Sequence, residues 1–425
     1  MDNGVWWFSM KATLVVRNIG ELATPIGSGP RHGSAMSMIS VMPDAAVVVD
    51  VETIVWAGPA SQMPRLDGPP PETIDAHGGS VIPGFVDSHT HFIFGGYRAD
   101  EFFWRAAGLP YMEIHRLGGG IANSVSATRS SSLPDLIASG ATRLERMLEL
   151  GVTTVEGKSG YGLDIDTELR QLEAMQVLDS RQPVDIVPTF LGPHSIPPEF
   201  AGRPADYIDY VINDVLPVVR ASGKARFCDI FCEKGVFELA DSRRYLEVAR
   251  RSGFGLKLHA DEIERIGGAG LAAQLHAVSA DHLLKASQDD LRAMSAAGVV
   301  ATCLPLTAFT LREPYADARS MIDLGLAVAL ATDLNPGSCY SQSIPLLAAL
   351  AVLYMRMSIE EVLTALTLNG AAAVGLASDR GSLEPGKLAD MLILDAPSYR
   401  HLAYNVGMNC VDTVIKRGKV VSVRK

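Results

Sequence analysis

The chain is short of the features that mark secreted, membrane-spanning or nucleic-acid-binding proteins. Cysteine is scarce: five residues (Cys228, Cys232, Cys303, Cys339 and Cys410) are scattered over 425 positions. An odd, scattered set excludes a disulfide framework and points to a reducing compartment. Cys228 and Cys232 stand four apart inside an apolar run, where they read as small buried hydrophobes rather than ligands. No apolar run reaches membrane-spanning length. The opening "MDNGVWWFSMKATLVV" has no basic segment ahead of its apolar residues, so no signal peptide is expected, and Met10 is a second candidate start. Basic residues are in deficit, 37 against 48 acidic, for a formal charge of −11 with no basic run. That argues against nucleic acid as a partner, and it requires that any anionic substrate be met by local cations. A cytoplasmic protein with no membrane partner is the expectation.

Hydrophobic residues make up 48% of the chain and charged residues 20%, ordinary for a globular protein too long for one small core. The two ends share one texture. "ATLVVRNIG" and "AAVVVDVETIVWAG" near the start, and "LADMLILDAP" and "VDTVIKRGKVVSV" near the finish, are short β-branched runs broken by Gly, Pro and Asn. Two such ends around a different middle imply one composite domain built from both termini. In the middle, eight apolar runs each lead into a helix-like stretch: "VIPGFVDSHTH", "VTTVEGKSG", "VDIVPTFLGPH", "FCDIFCEKG", "GLKLHADE", "AVSADHL", "GVVATCLP" and "LAVALATDLNPG". Eight strands alternating with helices predict an α/β fold of the (β/α)8, TIM-like barrel type. An open doubly wound sheet is the rival, but no glycine-rich phosphate loop follows the first run.

In such barrels chemistry gathers at the C-terminal strand ends. The polar tips here are His89 and His91, then Lys158 and Tyr161, His194, Glu233 and Lys234, His259 with Glu262, His282, and Asp333. His89 and His91 are one residue apart, so on an extended chain they face the same way. A lone strand histidine is usually a satisfied core residue; five histidines and an aspartate at one rim are not explained that way. His89, His91, His259 and Asp333 are expected to converge on a metal, since imidazoles and a carboxylate are the ligands of zinc, iron and related ions in hydrolytic sites. Hydrolysis is the chemistry that follows, because such an ion polarises a carbonyl and acidifies water.

"PGFVDSHTH" and "GSLEPGKLADMLILD" resemble the opening and closing signatures of the amidohydrolase superfamily. Within it, "FGGYRADEFFWRAAGLPYMEI", "GGGI", "EGKSGYGLD", "KLHADE", "SADHL" and "ALATDLNPGS" together resemble the imidazolonepropionase family of histidine degradation. "CLPLTAF" and "PGSCYSQS" depart from that pattern in loop detail. The resemblance implies a barrel over residues 81–381 and a small β-sandwich made of residues 1–80 and 382–425. It implies hydrolysis of the ring amide of 4-imidazolone-5-propanoate to N-formimino-L-glutamate, one metal ion per chain (zinc or iron), and a homodimer. A related amidohydrolase that deaminates a nitrogen heterocycle is the alternative, and a non-enzymatic barrel is disfavoured by retention of all four ligand types.

Roles follow for the remaining tips. Glu262, three residues after His259, is expected to hold the ring or water and shuttle a proton. His282 polarises the carbonyl or accepts a proton, and Asp333 doubles as ligand and proton acceptor. The substrate's carboxylate needs a cation, and Arg98, seven residues after His91, offers a two-pronged guanidinium. Tyr161, His194, Asn335, Gly337 and Ser338 are expected around the substrate, with Tyr111 a further candidate. Lys234 reads as a loop charge, and Lys257, on the same face as His259, needs a partner that the sequence does not identify.

Overall fold

The computed structural model describes residues 10–109, 113, 117 and 119–424. Tyr111 lies outside the described residues. Each of the eight apolar runs forms a strand of one parallel sheet. In chain order they are Phe85–Asp87, Val152–Lys158, Asp185–Phe190, the split pair Phe227–Cys228 and Phe231–Cys232, Gly255–Ala260, Ser279–His282, Val300–Cys303 and Val328–Leu330. Neighbours in sequence are neighbours in the sheet, all parallel, as right-handed βα units require.

The ladder runs from the first strand to the eighth, and the seam between them closes just beyond the strand ends. Asp333 N donates to His89 O (3.0 Å) and His91 N donates to Leu334 O (2.8 Å). On its other side Thr90 O accepts from Lys158 N (2.9 Å). The first strand proper therefore stops at Asp87, yet residues 89–91 continue its pairing on both flanks. That pairing is why His89 and His91 project together while Thr90 turns toward the second strand, where its hydroxyl donates to Glu156 O (2.6 Å).

The helices outside are set by ordinary local signals. Leu133–Glu149 begins at Ser132, whose side chain and Asp135 form a reciprocal capping box, a device worth about 1 kcal/mol. Its apolar stripe (Leu136, Leu144, Met147) is buried, and Gly140 is packed so tightly that a Cβ there would collide with Ile93 and Leu178. The helix ends ahead of Gly151, which takes a left-handed φ of 90°.

Strands from both chain ends meet in one mixed sheet in the order Lys419–Val423, Val411–Lys416, Met391–Leu394, Ser80–Pro83, Leu14–Pro25, Ile39–Asp50 and Thr53–Pro59, with Glu72–Asp75 also on Leu14–Pro25. Ser80–Pro83 pairs with Met391–Leu394, so this sheet runs three residues past the boundary expected at residue 80. No helix among the described residues is long and apolar enough to cross a membrane. All five cysteines are buried and free.

Candidate metal and substrate site

The three histidines expected at the rim converge. His91 Nε2 lies 3.4 Å from His259 Nε2, and Asp333 Oδ1 lies 3.6 Å from both His89 Nε2 and His91 Nε2. His89, His91 and His259 offer ligand atoms close enough together to hold one ion. The environment fixes which nitrogens face inward. His89 Nδ1 meets Asp281 Oδ2 at 2.6 Å, which makes Nδ1 the protonated nitrogen and leaves Nε2 a bare lone pair with no hydrogen-bond partner. His259 Nδ1 sits 3.0 Å from Asp229 Oδ2, close but poorly aligned for a hydrogen bond. Burial, reinforced by neighbouring cations and imidazoles, holds all three histidines well below their ordinary pKa, so each is a neutral donor. Three neutral imidazoles facing a carboxylate, with a buried lone pair left unpaired, form a donor set that suits a divalent cation.

Asp333 is aimed by Thr307, whose hydroxyl donates to Oδ2 at 2.6 Å. Its backbone φ is 52°, and that of His282 is 74°, a strained conformation for a histidine. Burial raises the Asp333 carboxyl to about 7.

A cavity of about 420 Å³ opens above this cluster, lined among others by His91, Arg98, Tyr161, His194, His259, Glu262, His282, Asp333, Asn335 and Ser338. Glu262 Oε2 lies 3.6 Å from His282 Nε2. Burial, followed by the nearby charges of Asp333, Glu233 and Glu313, pushes Glu262 up to about 8, whereas burial lowers His282 to about 4. The pair thus has an acid that keeps its proton at neutral pH beside a base that lacks one. His194 stacks on His91 (4.9 Å between centroids) and is held by Gly160 O at 3.0 Å. Tyr161 is fixed from behind. Its amide donates to Gln171 Oε1, while Glu168, fully buried, accepts from the amides of Gly160, Gly162 and Leu163.

Arg98 reaches the cavity but is not free. Its Nε and Nη2 donate to the two oxygens of Glu101 (2.8 and 2.6 Å), which also accepts from Gly120 N (2.7 Å). Glu101 thus takes the Nε–Nη2 edge, and the Nη1–Nη2 edge is the one left for the two-pronged grip expected on substrate. Gly337 is not among the residues lining the cavity. Its amide donates to Asn335 Oδ1, its carbonyl accepts from Arg105 Nη2 (2.7 Å), and Arg98 lies over its Cα, leaving no space for a Cβ. The Asn335 amide is spent in the same turn, donating to Asp333 O and Ser338 Oγ and accepting from the amides of Gly337 and Ser338. These two residues shape the turn that carries Asp333.

Lys257 has its partner: Nζ donates to Glu156 Oε2 at 2.7 Å, at the barrel centre. Lys234 is exposed and pairs with Glu264. Reading the sequence for rim residues missed Asp229 and Asp281, although Asp281 stands inside the "SADHL" motif beside His282. It also missed Thr307, Glu101 and Arg105, whose parts depend on contacts across distant segments.

The amidohydrolase family model matches residues 233–421, and a second amidohydrolase model matches residues 72–113. Imidazolonepropionase of Parabacteroides distasonis is 55% identical over 408 residues, covering 96% of this chain and 98% of that protein. The enzyme of that name from Clostridium tetani is 50% identical over 412 residues, covering 97% and 98%. Among solved structures, 5-methylcytosine deaminase from Klebsiella pneumoniae superposes with a TM-score of 0.72 at 18% identity, covering 97% of this chain and 98% of that one. E. coli guanine deaminase gives 0.69 at 15%, covering 98% and 100%. Those two likenesses establish the barrel-plus-sheet fold and no more. Identity of half or more, sustained from one end to the other, goes further: the chain belongs to the imidazolonepropionase family of metal-dependent amidohydrolases.

Proposed function

We propose that this chain hydrolyses the ring amide of 4-imidazolone-5-propanoate to N-formimino-L-glutamate, with one zinc or iron ion held by His89, His91, His259 and Asp333. The observation that carries the reading is full-length identity of 50–55% with imidazolonepropionases, in a chain whose rim gathers three neutral imidazoles and a carboxylate. When bound, the metal supplies Lewis acidity at the scissile carbonyl and toward the attacking water.

The chain's own residues do the rest. Water adds to the ring carbonyl carbon, the ring C–N bond breaks, and the departing nitrogen needs a proton. Glu262 is protonated at neutral pH and stands beside His282, so it can give that proton while His282 accepts the one that water loses. Asp333, 3.6 Å from both His89 and His91, is a second acceptor. Arg98 Nη1 and the Tyr161 hydroxyl are assigned to the propanoate carboxylate. His194, stacked on His91, walls the ring, and Ser338 and Asn335 border it from the turn. We divide the chain into a catalytic unit, residues 81–381, and a second unit of 1–80 with 382–425, the strand Ser80–Pro83 carrying the chain from one to the other. The reading extends to a cytoplasmic homodimer, which the family resemblance implies.

The test is ultraviolet loss of imidazolonepropanoate by the purified chain, run beside a panel of aminated heterocycles. Imidazolone loss with formation of formiminoglutamate is expected. Ammonia release from a heterocycle with no imidazolone loss would establish the aminohydrolase alternative instead.

A further inference from the structure

Beneath the histidine cluster lie five ionisable side chains with no solvent exposure: Glu156, Lys158, Asp229, Lys257 and Asp281. Lys158 Nζ is 2.8 Å from Asp229 Oδ2, 3.0 Å from Glu156 Oε1 and 3.5 Å from Asp281 Oδ2. Two of those carboxylates are the ones that face the candidate ligands, Asp281 behind His89 and Asp229 behind His259. His89, Glu156 and Asp281 also form a second group with ligand atoms close enough to hold a metal. In this chain those oxygens already surround an ammonium.

We propose that Lys158 stands in the place of a second metal ion: its fixed charge bridges Asp229 and Asp281, keeps the centre to one ion, and holds both carboxylates against the imidazoles that bind it. The inference rests on the metal reading above. Burial lowers the Lys158 pKa, but Asp229, Glu156 and Asp281 outweigh it and hold the amine charged, well above its ordinary pKa. Three carboxylates against two ammoniums leave a net −1. Without Lys158 the set carries −2 with no water to screen it, an uncompensated buried charge. Carboxylate oxygens and an imidazole are what a hard or borderline divalent cation takes up.

Lys257 plays a different part. It donates to Glu156 Oε2, Ser88 O and Ala373 O and stands 3.9 Å from Asp281 Oδ2, whereas Lys158 also holds Asp229. Its loss removes the same unit of charge but leaves Asp229 paired with Lys158, so it supplies a charge-matched control. As a positioning residue, Lys158 acts on metal stoichiometry and spectrum, which a purely structural lysine would not move.

The full chain is stripped with chelator and titrated with cobalt(II), with the metal counted by equilibrium dialysis and the visible ligand-field bands recorded. The wild type and Lys257→Met are expected to take one cobalt per chain with the same spectrum. Lys158→Met is expected to take two, with altered bands, and Lys158→Arg to return to one. One cobalt in Lys158→Met with a wild-type spectrum overturns the proposal, as does a second cobalt in Lys257→Met. If metal-free Lys158→Met is unfolded, excess cobalt should refold it with two ions per chain, and failure to do so counts against the proposal. A wild-type chain that takes no cobalt refutes the metal reading itself, and this inference with it.

Discussion

Glu101 takes two of the three guanidinium nitrogens of Arg98, so the cation that meets the substrate carboxylate is oriented before substrate arrives. Burial pushes the Glu101 carboxyl up, but the bonds from Arg98 and Gly120 N outweigh it and hold it below the usual range. A pre-formed pair loses little entropy on binding, and it leaves both N–H groups of Nη1 and the second one of Nη2 for the ligand. Arg98→Met should cost at least about 1.5–3 kcal/mol, the range for a single hydrogen bond to a charged group, or at least a roughly tenfold to hundredfold fall in kcat/KM. Metal content should be unchanged. A substrate analogue lacking the carboxylate should be turned over equally by wild type and variant, and unequal turnover would move the clamp elsewhere. For the proton carriers, Glu262→Gln and His282→Ala should retain the metal and lower kcat roughly 10²–10⁴-fold. Single-turnover rates near wild type would reduce both to structural residues.

At the scale of elements, the barrel and the end sheet are pinned where the third strand begins. Asp185, its first residue, accepts from Arg380, Lys416 (2.9 Å) and Arg417 (3.2 Å), all from the returning C-terminal segment. Burial raises the Asp185 carboxyl, but Lys416, Arg380 and Arg417 together bring it below 3.8. A carboxylate depressed in the folded state contributes stability above its unfolded pKa and loses it as pH falls through the folded one. Asp185→Asn should lower unfolding free energy by about 1–3 kcal/mol at neutral pH, since each cation keeps a second acidic partner. The gap should narrow only below about pH 4. Urea midpoints of the two chains from pH 7 to pH 3 measure it, and a gap that persists unchanged in acid would deny the ion pairs their role. None of this contact could be read from the chain, because Asp185 and its partners are about two hundred residues apart. The strands themselves were legible, since each apolar run carries its own β-branched texture and its own turn. The rim residues were legible because a polar tip on an apolar strand is a local signal. Asp281 and Asp229 were not, because a carboxylate among strand residues gains its meaning only from the imidazole brought beside it. Asn335 and Gly337 were read as contacts of substrate or product; Asn335 lines the cavity and Gly337 does not. Their polar groups close the turn that presents Asp333.

For the whole molecule, the cluster sits on the seam that closes the barrel. His89 and His91 pair through their backbones with Asp333 and Leu334, and His259 reaches them from the fifth strand. The four donor atoms come from both ends of the barrel sequence, so the unfolded chain cannot assemble the set, and binding energy becomes folding energy. A ligand that binds only the folded state stabilises by RT ln(1 + [L]/Kd), about 2.7 kcal/mol at a hundredfold excess over Kd and about 5.5 at ten-thousandfold. For a chain of 425 residues the entropy of unfolding is large, and each kcal/mol moves the melting temperature by only about 1 °C. Removing the metal should thus lower Tm by about 3–6 °C under those loadings, and restoring zinc or iron should return it. His259→Ala should abolish activity and flatten the dependence of Tm on added metal, while the barrel still forms, because its core lies below the rim. Calorimetric scans of chelated, reloaded and variant protein decide the matter. A metal-independent Tm in a chain that counts one tightly bound ion would mean that the ion sits somewhere other than on the closing seam.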